Sequence, residues 1–175
     1  MIGRRLVLAF FGFLIGHGAA AAAGWPQAPS DLAPDPAIQF GTLPNGLRYA
    51  IKPNAEPRGR TVLRLLVLAG SLHEQEDQRG LAHFVEHMAF NGTRLYPHET
   101  LQAALQRHGF AFGADVSAFT FLTHTIYGLE APSTNPERLD EAFAVLREFA
   151  DGQTFDPEEI DRERGVIASE RRTRD

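Results

Sequence analysis

From residue 38 onward, short apolar runs alternate with polar breaks at changing periods, and those periods predict the elements. Runs at 38–43 and 47–52 flank Pro44-Asn45-Gly46. Asn-Gly between two apolar runs predicts a β-hairpin. Residues 61–69 (TVLRLLVLA) are too continuously apolar for a half-exposed strand, so the pattern predicts a buried central one. Arg79-Gly80 opens a helical stretch reaching to about Phe90. A shorter helix over 99–107 is closed by Gly109, where a left-handed cap belongs. Strand character returns over 110–130, centred on Thr125-Ile126-Tyr127, with Gly113 expected as a kink. Asn135-Pro136 starts a helix whose buried face is expected to comprise Leu139, Ala142, Phe143, Leu146, Phe149 and Ala150. Asp156-Pro157-Glu158-Glu159 repeats the start signal, and a last helix runs from there to the end. Strands, helices, strands and then helices predict a two-layer α+β domain.

The first 23 residues follow a different pattern. Arg4 and Arg5 precede an apolar run and then a string of alanines, the layout of a secretory signal peptide. The run is well short of the ~20 residues that span a bilayer, so the expectation is export with no membrane span in the mature chain. Residues 24–37 carry four prolines among small polar residues and read as an extended linker, which leaves 38–175 as the folded domain.

Charge and composition narrow the chemistry. Seventeen basic against 22 acidic side chains give a net charge of −5, a poor match for a nucleic-acid backbone. The absence of cysteine excludes disulfides, zinc–thiolate fingers and iron–sulfur ligation. Any metal must then be held by histidine and carboxylate.

The segment that carries chemistry is Gly80-Leu81-Ala82-His83-Phe84-Val85-Glu86-His87-Met88. His83 and His87, four apart on a helix, share one face one turn apart. Each can give one ring nitrogen to the same zinc ion at about 2.0–2.1 Å. Glu86 projects near that edge, placed to act as a general base beside the ion. A catalytic zinc usually has three protein ligands. Glu163 and Glu170, two helical turns apart on nearly one face, are both candidates for the third, with the other orienting a ligand from behind. The surrounding acidic and basic residues from Asp161 to Arg172 read equally well as a solvated, ion-paired face, and spacing alone leaves this open. His73, His98, His108 and His124 have no partner spacing and read as surface or polar-satisfied residues.

Taken together with Leu43-Pro44-Asn45-Gly46-Leu47, Ala69-Gly70-Ser71-Leu72-His73-Glu74, GLAHFVEHMAFNGT from Gly80, Gly113-Ala114-Asp115, Thr125-Ile126-Tyr127 and the stretch from Glu163 to Glu170, the chain resembles the pitrilysin/insulinase (M16) family of inverted-motif zinc peptidases. The resemblance is to the amino-terminal catalytic domain and runs from about Phe40 to Asp175. It implies an antiparallel sheet packed on helices and one zinc ion. It also implies zinc ligation by His83, His87 and Glu170, Glu86 as base, and Glu163 as the acidic residue supporting the site. Peptide substrates in the family pair with an edge strand near the metal. Ser117-Ala118-Phe119-Thr120 resembles the family's Asn-Ala-Tyr-Thr stretch, which makes Ser117, Ala118 and Phe119 the expected substrate-binding residues. Ser117 stands where asparagine is common, and so lacks the amide beside the peptide path. Family members usually enclose their substrate with repeated domains, in one chain or two. The expectation is therefore an exported, periplasmic or secreted zinc endopeptidase domain, a fragment or half of a split enzyme. The alternative is a zinc-binding, non-catalytic half that completes a partner chain's chamber.

Overall fold

The computed structural model describes residues 25, 28–98, 100–132 and 134–174. The expected signal peptide lies outside the described residues. The chain divides into two compact units, residues 1–55 and 56–175. In the first, strands β1 (Gln39–Thr42) and β2 (Arg48–Ile51) pair antiparallel. Gly46 takes φ 88° in the turn between them, a left-handed value that explains glycine after Asn45. Trp25 meets the edge of Phe40 at 4.8 Å, and the Arg48 guanidinium lies over the indole.

The second unit holds a three-stranded antiparallel sheet, β3 (Thr61–Val67), β4 (Val116–Thr120) and β5 (Thr125–Ala131), in the order β3-β5-β4. Four helices accompany it: α1 (Leu81–Met88), α2 (Thr100–Arg107), α3 (Pro136–Asp151) and α4 (Pro157–Arg174). This is the α+β architecture the element order predicts, with the antiparallel sheet that the resemblance implies. Among the described residues no helix is long and apolar enough to cross a membrane.

One strand expectation changes. The central strand is β5, and β3 lies at an edge of the described sheet. Leu63 and Leu65 face the core, while Val62 and Leu66, each 52% exposed, face the other side. A continuous apolar run does not distinguish two covered faces from one covered and one open face. The strand character over 110–130 resolves into two strands, because Phe121 N–H donates to His124 O at 2.8 Å and folds the chain back. Thr120 thereby faces Thr125 in register. Gly113, with φ 86°, sits in the turn before β4.

The core lies between the sheet and helices. Tyr127, Leu129 and Ala131 of β5 pack with Leu101, Leu105, Phe110, Ala142, Val145 and Phe149. Burying a leucine or phenylalanine of this set contributes roughly 1.5–3 kcal/mol. Phe90, Tyr127 and Phe149 form a cluster of rings with centroids 5.0–6.5 Å apart, Phe90 meeting Phe149 edge-on. Helix ends follow the sequence signals. Asn135 accepts from Glu137 N–H at 2.9 Å, Asp156 accepts from Glu158 N–H at 2.9 Å, and Gly109 adopts φ 85° after α2.

The inward face of α3 differs from the expected one. Phe143 is 56% exposed and Ala150 is exposed, whereas Val145 and Glu148 are buried. Glu148 turns inward because Leu95 N–H donates to it at 2.9 Å and Arg94 approaches at 3.5 Å. Burial alone would raise its pKa, but these donors and Thr93 outweigh it and hold the carboxyl below its ordinary value. Its contribution to stability is therefore full above the unfolded carboxyl pKa of about 4.3 and is lost as pH falls through the lower folded-state value. Glu148→Gln should lower the thermal midpoint above about pH 5, and the gap from the unchanged chain should close on acidification. A gap that stays constant between neutral pH and about pH 3 would contradict this assignment.

Candidate metal centre

The site is built where α1 crosses α4 beside the end of β4. Helix α1 is started from outside. Glu74 accepts from Gly80 N–H at 2.8 Å and Ala82 N–H at 2.7 Å, so a carboxylate caps the helix's positive end. Gly80 itself has φ 92°, a left-handed turn into the helix. From that start, His83 falls in the first turn of α1, with Glu86 and His87 one turn later as the four-residue spacing of the histidines requires.

His83 and His87 bring their Nε2 atoms to 3.1 Å, with the rings edge-on to each other. Glu170 of α4 reaches the same point, with carboxylate oxygens 3.7 Å from His83 Nε2 and 3.8 Å from His87 Nε2. One ligand atom from each residue lies within 4.8 Å of the others. Tetrahedral donors about 2.0–2.1 Å from a zinc ion stand about 3.3 Å apart. The two imidazoles are close to that spacing, and the Glu170 carboxylate stands wider, with a different oxygen nearest each ring. Two neutral nitrogen donors and one carboxylate oxygen are a donor set that suits zinc.

Behind this point, His87 Nδ1 donates to Glu163 Oε1 at 2.6 Å. That bond places the ring proton on Nδ1 and turns the Nε2 lone pair toward His83 and Glu170. The second oxygen of Glu163 accepts from Asn91 Nδ2 at 2.7 Å, and Asn91 also donates to the His87 carbonyl at 3.3 Å. Glu163 is 8% exposed, so a buried carboxylate with donors on both oxygens fixes the imidazole.

Glu86, also 8% exposed, points from α1 toward β4. Thr120 Oγ1 donates to its Oε2 at 2.5 Å. Thr125 stands 3.4 Å from Thr120 and donates to the Ala69 carbonyl at 3.0 Å. Burial, together with the charge of Glu86, raises the Tyr127 phenol to about 12, so it remains a neutral wall near the carboxylate.

Of the five residues singled out in sequence for metal chemistry, His83, His87, Glu163 and Glu170 thus meet in one place, and Glu86 turns from the same helix toward Thr120. Ser117, Ala118 and Phe119 lie on β4, which among the described residues pairs with β5 and otherwise only bridges Phe112 through Val116. Phe119 is 59% exposed, and Ser117 faces Gly128 across the pair. Both readings of the last helix hold, on different faces. Asp161 and Arg164 form an exposed ion pair at 3.2 Å, while Glu159 and Glu163 are buried. Glu159 meets His98 at 3.1 Å and Arg162 at 2.6 Å, so His98 is polar-satisfied as expected. Sequence reasoning missed Asn91, Glu74 and Thr125 as supports and gave Thr120 no role. Asn91, four residues after His87 and so on the same side of the chain's path, was the one readable signal.

Comparisons with known proteins agree in kind with this geometry. The profile of the insulinase family (peptidase family M16) matches residues 49–175. A probable zinc protease, PqqL, of Haemophilus influenzae is 46% identical over 140 residues, which are 80% of this chain and 15% of that protein. A zinc protease PQQL-like protein of Arabidopsis thaliana is 41% identical over 133 residues, 76% of this chain and 14% of the relative. The crystal structure of the first half of the periplasmic protease PqqL from Escherichia coli superposes with a TM-score of 0.78 at 40% identity. That match covers 81% of this chain and 30% of the other. The chain thus spans about 15% of the length of the curated relatives it matches.

Proposed function

Because this chain belongs to the insulinase (M16) peptidase family, we propose that its site is that of a zinc endopeptidase hydrolysing peptides or small unfolded proteins. The observation that carries the reading is the convergence of His83, His87 and Glu170 within 4.8 Å, beside the buried base candidate Glu86. His83, His87 and Glu170 would hold a single zinc ion, which when bound supplies a Lewis acid able to polarise a peptide carbonyl and acidify water. Glu86 takes a proton from the attacking water as the new C–O bond forms. It then delivers that proton to the amine nitrogen as the C–N bond breaks. Glu163 and Asn91 keep His87 in the tautomer and orientation that ligation needs. The outer edge of β4, with Ser117, Ala118 and Phe119, would take an extended peptide as an added strand beside Glu86.

The reading extends to the setting. The charged, apolar and small-residue layout of residues 1–23 supports export to the periplasm or beyond. The relatives are several times longer than this chain. Further M16-like domains, in the same polypeptide or in a partner subunit, would then enclose the peptide. Should the chain bind one zinc and cleave nothing with or without such domains, it would instead be a non-catalytic half completing a partner's chamber. The serine at position 117 favours that second reading.

Two measurements test the assignment. Glu86→Gln should retain zinc yet lower peptide turnover by roughly 10²- to 10⁴-fold, since it removes a base and not a ligand. Unchanged turnover would end the proposed mechanism. In a chelator competition, Glu163→Gln should weaken zinc binding about 10- to 100-fold. Glu170→Gln should weaken it more, because a charged oxygen bound to the ion is lost. The opposite order would exchange the roles of the two glutamates.

A further inference from the structure

We propose that Thr120 is the positioning residue for Glu86, acting through one charge-assisted hydrogen bond that fixes which carboxylate oxygen faces the substrate. The inference rests on the peptidase reading of Glu86 and deepens it. Its physical basis is the order of donors at the end of β4. Thr125, 4% exposed, uses its only hydroxyl proton on the Ala69 carbonyl at 3.0 Å. Thr120 stands 3.4 Å from Thr125 but 2.5 Å from Glu86 Oε2. A hydroxyl–oxygen hydrogen bond is best at about 2.7–2.8 Å and is weak at the longer distance. The Thr120 proton is therefore committed to Glu86, and Oε2 is occupied by it. Oε1 is left as the oxygen that exchanges a proton with water and the leaving amine.

The pair is preset by the backbone. Thr120 and Thr125 are register partners across the 121–124 turn. That turn is tied to the segment after β3, where Ser71 N–H donates to Phe121 O at 3.1 Å and Leu72 N–H to Leu122 O at 2.8 Å. Gly70 lies so close to Phe121 O and His124 N that a Cβ there would overlap backbone. The Ala69 carbonyl is thus delivered to Thr125 and takes its proton, while strand pairing with Thr125 fixes the backbone of Thr120. A base with one free torsion after another would spend most of its time misaligned. One fixed donor in a site this buried removes that freedom before substrate arrives.

The test compares Thr120→Val, which keeps the branched shape without the hydroxyl, with Thr120→Ser, which keeps the hydroxyl. In the zinc-loaded full chain, with whatever family domain confers turnover, Thr120→Val should lower kcat about 10- to 100-fold, the size expected for one charge-assisted hydrogen bond. KM and bound zinc should change less than about twofold, and Thr120→Ser should recover kcat to within about threefold. An unchanged kcat in Thr120→Val, or a Thr120→Ser variant as slow as Thr120→Val, would overturn the proposal. A second readout needs no turnover. In thermal unfolding without zinc, Thr120→Val should lower the midpoint by a few degrees when Glu86 is present, and by less than half as much beside Glu86→Ala. Equal shifts in both backgrounds would show that no such bond exists. Coupled shifts in a chain that cleaves no peptide would uphold the Thr120–Glu86 pair and count against the peptidase reading alone.

Discussion

The contact between His87 on α1 and Glu163 on α4, 2.6 Å long and largely buried, is what the site depends on. It ties the helix that carries two imidazoles to the helix that carries Glu170. A hydrophobic contact could hold the helices at the same distance but could not select a tautomer. The Glu163 carboxylate does both, and Asn91 satisfies its second oxygen so that no buried charge is left without a donor. Ion pairs of this depth add little net stability against an apolar alternative. What this one contributes is orientation, as do two neighbours on the same helix: Glu159 faces His98, Glu163 faces His87, and Glu170 faces both histidines of α1. An otherwise polar helix is docked by its acids, which explains why its sequence carries so weak an apolar stripe.

The sheet supplies the other half of the arrangement. Its core-facing row on β5, Thr125, Tyr127, Leu129 and Ala131, changes from polar to apolar along the strand. The apolar end anchors α3, and the polar end meets Glu86 through Thr120. The tight 121–124 turn and the close approach at Gly70 decide where that polar end stands. Rigid backbone thus places Thr120 against Glu86, while side-chain contacts between α1 and α4 bring His83, His87 and Glu170 together. Past the bridge of Val116 to Phe112, β4 is an edge strand among the described residues, and its Thr120 reaches the Glu86 carboxylate.

Much of this was legible along the chain because it is local. Asn45-Gly46, Asn135-Pro136, Asp156-Pro157 and Gly109 set turns and helix ends within a few residues of themselves, and they do so here. The place of β3 was not legible, because whether a second face of a strand is covered depends on what lies opposite it. Nor was the inward turn of Glu148, whose burial rests on donors from Arg94 and Leu95, more than fifty residues earlier in the chain. Phe143 illustrates the converse: periodicity placed it inside, but the helix face that carries it meets solvent.

For the site itself, the sequence determined the spacing of His83, Glu86 and His87, since an α-helix converts four residues into one turn without outside help. It also placed Glu163 and Glu170 on one face of a second helix. It could not say that this face meets α1, because that depends on the crossing of two helices more than seventy residues apart. Spacing left the roles of the two glutamates open and only the family resemblance divided them; in the folded chain Glu163 bonds the back of His87 while Glu170 faces the two Nε2 atoms. Tertiary structure alone brought Thr120 to Glu86. The physical reason is range: backbone geometry fixes directions over one or two turns, whereas the partner met in that direction is chosen by the packing of the whole domain.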